Sequence, residues 1–185
     1  MKYLKKLSVL LIASGVILIC ISFGYKEYCK QITKQKYEAM LNQITNKSDV
    51  EEKENEKITG LGIIEIKSLN IKAPISEGTT GDVLKFAIGH FKDTAKPGKK
   101  GNCCLAGHAS NLYKANFVNL HKISDNAIIK IHTTKGTYKY KVYEKTVVKA
   151  TQMDVLDATK NKELTLITCT DNGKKRFVVK AKYCK

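Results

Sequence analysis

The hydrophobic positions of this chain change rhythm partway along. From Leu7 to Phe23 they run almost unbroken, LSVLLIASGVILICISF, with no charged residue. At ~1.5 Å rise per residue such a run is roughly 25 Å long as a helix, the short end of a membrane span. Lys2, Lys5 and Lys6 precede it, and Tyr3, Tyr25 and Tyr28 flank it where interfacial aromatic residues belong. No A-x-A-like site follows, and Ile19 before Cys20 spoils a lipoprotein cleavage box, so the pattern reads as an uncleaved signal-anchor rather than a cleaved signal peptide. Residues 1–6 are then a short cytoplasmic tail and 7–23 the span, with the bulk of the chain outside. Tyr25 to Met40 has helix-forming composition, and Asn42 to Lys57 is polar with five acidic residues between Asp49 and Glu56. Residues 24–57 read as a stalk or linker.

From Ile58 the pattern becomes short β-type segments broken by turn residues. Gly62–Ile66 and Ile71–Ile75 read as strands, Pro74 favouring an edge or bend. Asp82 is a candidate cap for a short helix over Val83–Phe86. Asn102–Gly107 is a buried-type strand ending at His108, and Asn116–Leu120 is one helical turn. Ala127–His132 and Thr137–Lys145 alternate with period two about a Lys135-Gly136 turn, and Thr146–Lys162 is a long connection. Leu164–Thr168 and Arg176–Val179 form a last hairpin around Asp171-Asn172-Gly173. About eight closely spaced strands with short helices predict a mostly β fold, a closed antiparallel barrel over residues 58–185.

Composition adds charge to this outline. The chain of 185 residues is 43% hydrophobic, enough for one domain with a real core, and carries a formal charge of +16. Residues 1–23 hold three lysines and no acid, and 24–57 hold seven of each sign, so the predicted barrel carries +13. Such a surface dwells near polyanions. No basic run interleaved with aromatics argues for nucleic acid, whereas a membrane-tethered module binding anionic wall polymer stays open. The six cysteines contain no C-x-x-C pair, so zinc ribbons and dithiol redox sites lack their spacing. Adjacent Cys103 and Cys104 read as small strand residues, one facing each side of the sheet.

The chemistry concentrates late in the chain. Cys169 ends a strand, and across the turn stands Arg176, the one arginine among 33 Lys+Arg residues. A lone arginine in a lysine-rich chain suits a place needing planar, bidentate donation. A nucleophilic cysteine needs a partner that favours the thiolate and protonates the leaving amine, and donors for the developing oxyanion. Of His90, His108, His121 and His132, His108 stands out because small residues surround it in Ala106-Gly107-His108-Ala109-Ser110. His90 reads as packed or in a loop, and His121 and His132 as surface residues. A cysteine hydrolase fits these residues as well as an acyl transferase does.

The combination of GNCCLAGH at 101–108, TLITC at 165–169 and Arg176 resembles the sortases, cysteine transpeptidases of Gram-positive cell surfaces. The resemblance covers 58–185 and includes PISEGTT at 74–80, GHF at 89–91, Phe117 with Leu120, and TTKG at 133–136. It implies that His108 is the catalytic histidine, Cys169 the nucleophile and Arg176 the catalytic arginine, with Thr168 lining the groove for the substrate. It implies cleavage of an LPxTG-like sorting signal between Thr and Gly in a secreted protein. The acyl group then passes through a thioester to an amine of a peptidoglycan precursor, with no cofactor. Ala109 departs from the arginine common after the motif histidine. The single N-terminal anchor, with no room for an extra long helix in Thr146–Lys162, is most similar to class D, class A next. Calcium activation in some class A members makes Asp93, Asp154 and Asp157 candidates for a cation, but none is expected here.

Overall fold

The computed structural model describes residues 2–45, 60–110 and 117–184. Of the stalk or linker expected over 24–57, residues 24–45 continue helix α1, and 46–57, with Asn116 of the expected helical turn, lie outside the described residues. Helix α1 (Lys2–Thr45) is one continuous run. Within it Ile12–Ile32 is long and apolar enough to cross a membrane. Ile12, Val16 to Ile19, Ile21 and Phe23 all stand exposed along it.

The remainder is a closed eight-stranded barrel, as the spacing of short strands predicted. Its strands are β1 (Gly60–Ile66), β2 (Ile71–Glu77), β3 (Ile88–His90), β4 (Gly101–Gly107), β5 (Ile128–Thr133), β6 (Gly136–Lys149), β7 (Lys162–Thr170) and β8 (Lys175–Cys184). Their order around the barrel is β1-β2-β3-β4-β7-β8-β6-β5. Two of the pairings, β2 with β3 and β4 with β7, are parallel rather than antiparallel. Parallel neighbours need a crossover in place of a tight turn. Helix α2 (Gly81–Leu84) lies in the first crossover, and the whole β5–β6 hairpin in the second.

Period-two patterning sets the interior. Ile64 and Ile66, Cys103 and Leu105, Ile129 and Ile131, Tyr140 and Val142, Leu164 and Leu166, Val179 and Ala181 all face one core. Phe117 and Leu120 close it and are fully buried. The alternate residues of β4, β7 and β8 face outward, and there lies a second, smaller apolar cluster: Val148, Val155, Ile167 and Val178, with Phe91 and Leu156 packed against it.

Several local expectations shift. Strand β6 runs on through Thr146 to Lys149, so the connection before β7 is residues 150–161, with a 3-10 turn at Asp154–Leu156. A bulge between Val142 and Glu144 explains the misreading, since the extra residue breaks the alternation. Asp82 sits inside α2 and pairs with Lys85 at 2.8 Å, while Thr80 holds the cap position without a side-chain bond. The turn after Phe117 is a 3-10 turn at Leu120–Lys122. In the β7–β8 turn Asp171, Asn172 and Gly173 all have positive φ (51°, 49° and 87°).

Candidate active site

Strands β4 and β7 run parallel and in register, Gly107 opposite Thr168. Each strand therefore delivers its next residue, His108 and Cys169, side by side at the same barrel end, on strands roughly 4.8 Å apart. Across β7 the antiparallel register sets Arg176 of β8 directly opposite Cys169. Parity gives all three the outward direction: His108 follows Cys104 and Ala106, Cys169 follows Ile167, and Arg176 precedes Val178. Three neighbouring strands thus present a histidine, a thiol and a guanidinium above the apolar floor of the second cluster. That floor has walls: Val155 and Leu156 come from the 150–161 connection and Phe91 from the loop after β3.

Thr168, expected to line the groove for the substrate, sits one residue before the thiol. It lies on the interior phase, buried, and its hydroxyl donates to the Gly107 carbonyl at 2.9 Å. That bond ties β7 to β4 one residue before the thiol and the imidazole, so Thr168 fixes the spacing of the strand ends. Gly107 is needed there as well. A Cβ on it would meet the Phe117 ring at 2.7 Å and Ile88 Cδ1 at 2.9 Å. The Phe117 amide in turn donates to the His108 carbonyl at 2.8 Å, so this buried ring and its backbone hold the β4 end.

The electrostatics distinguish the groups. Burial pushes His108 below its ordinary value, favouring the neutral imidazole. Cys169 is an exposed free thiol. Burial pushes Cys104 up to about 12 and raises Cys103 further, so both buried thiols are inert. Arg176 donates through Nη1 to the carbonyls of Gly173 (2.7 Å) and Lys175 (3.0 Å). Lys149 and Lys175 pair across β6 and β8 next to it on the opposite phase, and Lys175 is ion-paired with Asp171 at 3.5 Å.

The other histidines are elsewhere. His90 is wholly buried, bonded through Nδ1 to Glu77 (2.7 Å) and near Ala95 O and Thr94 Oγ1 through Nε2, where it holds the loop that carries Phe91. His121 lies against the Val118 carbonyl, and His132 bridges Thr137 and Glu65 on the far face. Among the described residues no group of three His, Cys, Asp or Glu is placed to hold a metal. Sequence reasoning missed the apolar floor. Its signal was there in ITC and FVV, strand ends apolar on both phases.

Comparison with known proteins supports the same frame. A family described as the Sortase domain matches residues 64–184. Sortase D of Bacillus subtilis is 27% identical over 127 residues, which cover 65% of this chain and 62% of that relative's length. A solved structure described as a Clostridium perfringens Sortase D5 transpeptidase is 34% identical, with a TM-score of 0.72 over 84% of this chain and 99% of that one. Listeria monocytogenes sortase A is 29% identical with a TM-score of 0.63, covering 69% of this chain and 88% of its own. With a matching domain, a closed barrel of the same kind and a thiol at the end of its seventh strand, this chain belongs to the sortase family.

Proposed function

We propose that the protein is a membrane-anchored transpeptidase that cuts an LPxTG-like sorting signal between Thr and Gly and joins the new carboxyl end to an amine of the cell-wall precursor. The observation that carries this reading is the in-register delivery of His108, Cys169 and Arg176 by β4, β7 and β8. Cys169 passes its thiol proton to His108 as its sulfur attacks the threonine carbonyl. Guanidinium donors of Arg176 stabilise the oxygen as it becomes an anion. Collapse breaks the peptide bond, and the departing glycine amine takes its proton from His108. The thioester left on Cys169 is then attacked by the acceptor amine, whose proton passes to His108, and the thiolate is released. No electrons change hands, and one amide bond replaces another. The apolar floor under the thiol suits the leucine and proline side chains of the signal.

In this reading α1 is the single-pass anchor, and the barrel lies outside the cytoplasm, where secreted proteins carrying the signal meet the peptidoglycan precursor. The test incubates the detergent-solubilised chain with a panel of sorting-signal peptides, with and without an amine acceptor. A thioester on Cys169, and ligated product when amine is present, is the expected result. Cleavage with no ligation at any amine concentration would make the protein a hydrolase. Binding of anionic wall polymer with no Cys169-dependent cleavage would make it a tethered binding module.

A further inference from the structure

The outer face of β5, β6 and β8 carries a charge pattern that the site chemistry does not use. Interior neighbours Ile129, Ile131, Tyr140, Val142 and Ala181 fill the core, so Ile128, Lys130, Lys139, Lys141, Tyr143 and Lys182 point outward. The register sets Lys130 directly opposite Lys139 and Lys141 directly opposite Lys182. Like charges facing across strands destabilise a sheet, and the acids at the ends of these rows hydrogen-bond to other side chains, although Glu65 also feels the Lys130 charge. Glu65, beside Lys130, bonds to His132 Nε2 at 3.3 Å, and Glu163, beside Lys182, accepts from the Tyr143 hydroxyl at 2.9 Å. Lys182 instead lies over the Tyr143 ring, 4.5 Å from its centroid. Among the described residues none of the four lysines is in an ion pair.

We propose that this face docks the barrel on the anionic headgroups of a lipid bilayer. The lysines form a two-dimensional patch, spaced ~7 Å along β6 and roughly 5 Å across strands, which is the form of an array of headgroups. Ile128 and Tyr143 stand exposed at 41% and 43% at the edges of the patch. An apolar side chain and an interfacial tyrosine find partners at a bilayer surface and none on a soluble polyphosphate. The chain also ties the barrel to the span: α1 continues from Phe23 to Thr45 and β1 begins at Gly60, a total reach of at most roughly 85 Å. Tethering raises the effective concentration of the surface, so a modest patch suffices. The inference rests on the reading of α1 as an anchor.

The experiment reconstitutes the full chain in vesicles of phosphatidylcholine alone or with phosphatidylglycerol, and maps lysine modification by a membrane-impermeant amine reagent. A lysine at an anionic surface shifts the balance toward contact by about fivefold. Modification of Lys139, Lys141 and Lys182 should therefore slow by at least that factor in the anionic vesicles and recover in ~1 M salt, where screening falls to ~3 Å. Lys149, at the far end of β6, is the internal reference. In the Lys139→Gln/Lys141→Gln variant, protection of Lys182 should disappear. Unprotected lysines in anionic vesicles, or equal protection in both lipids, overturns the proposal. So does protection by added soluble poly(glycerol phosphate) in its place. A carbonate wash is scored separately: chain lost from the vesicles refutes the anchor, whereas retained chain with unprotected lysines refutes the face.

Discussion

The lone arginine gives the sharpest test, because its guanidinium is divided between two tasks. Nη1 is taken up by the Gly173 and Lys175 carbonyls of the β7–β8 turn, while in the proposed reaction the remaining donors serve the oxyanion formed at Cys169, opposite Arg176 in the register. Arg176→Lys keeps the charge but has one nitrogen, which cannot hold the turn and donate to an oxyanion together. The turn bonds are solvent-accessible, so their loss costs about 0.5–1 kcal/mol. For a domain of this size that lowers Tm by about 2–5 °C. Loss of an aimed oxyanion donor removes ~10²–10³ from turnover, about 2.7–4 kcal/mol of barrel-bound transition-state stabilisation. The two costs differ enough to be read apart. The assay measures kcat and KM on a sorting-signal peptide for wild type, Arg176→Lys and Arg176→Ala, with a melting curve for each. The fall should appear in kcat rather than KM, since the interaction strengthens in the transition state. A lysine variant within about threefold of wild type would reduce Arg176 to a generic charge. A melting point that collapses in both variants would make it a structural residue.

Three further outcomes are expected. Iodoacetamide should modify Cys169 before Cys103 or Cys104, which stay silent until the barrel unfolds; early labelling of either buried thiol, with activity retained, refutes the assignment. Gly107→Ala should lose about 1–3 kcal/mol in urea melts through overpacking against Phe117 and Ile88; wild-type stability would show that Phe117 has room to move. For His108, burial holds the folded pKa below the ordinary 6.5, so the unfolded chain protonates first as pH falls. The stability this residue contributes is complete above that value and declines below it, so His108→Gln should flatten the loss of stability on acidification. An unchanged slope sinks the reading.

The barrel was legible because strand signals are local: alternation, turn residues and spacing reveal seven of its eight strands without any knowledge of their partners, the three-residue β3 at Ile88–His90 being too short to show a pattern. What they cannot reveal is pairing. Nothing near Gly107 announces that Thr168 will lie beside it, and the parallel β4–β7 pairing that sets the thiol next to the imidazole is a product of closure. The bulge after Val142 hid the last four residues of β6, Thr146–Lys149, for a related reason, since one extra residue reverses which positions look buried. Cys169, His108 and Arg176 were conspicuous as residue types, whereas Ile167, Val178 and Val148 were not, because an outward valine over a groove reads like any core valine. Thr168 was marked by its place beside the cysteine, but which way its hydroxyl points depends on strand parity within the closed barrel.

The parallel pairing also has a consequence in time. Gly107 and Thr168 are 61 residues apart, and the β5–β6 hairpin between them must be made before β7 exists. Chains are synthesised and begin to fold from the N-terminus, and contacts this distant form slowly. While β7 is missing, β4 has an open edge and His108 has no thiol beside it. Once β7 arrives, Cys169 still waits for β8 to bring its arginine. A nascent chain therefore carries its nucleophile apart from its partners until nearly all of the barrel has emerged. In the proposed reaction, acylation then waits for barrel closure, because the groups that would assist it assemble last.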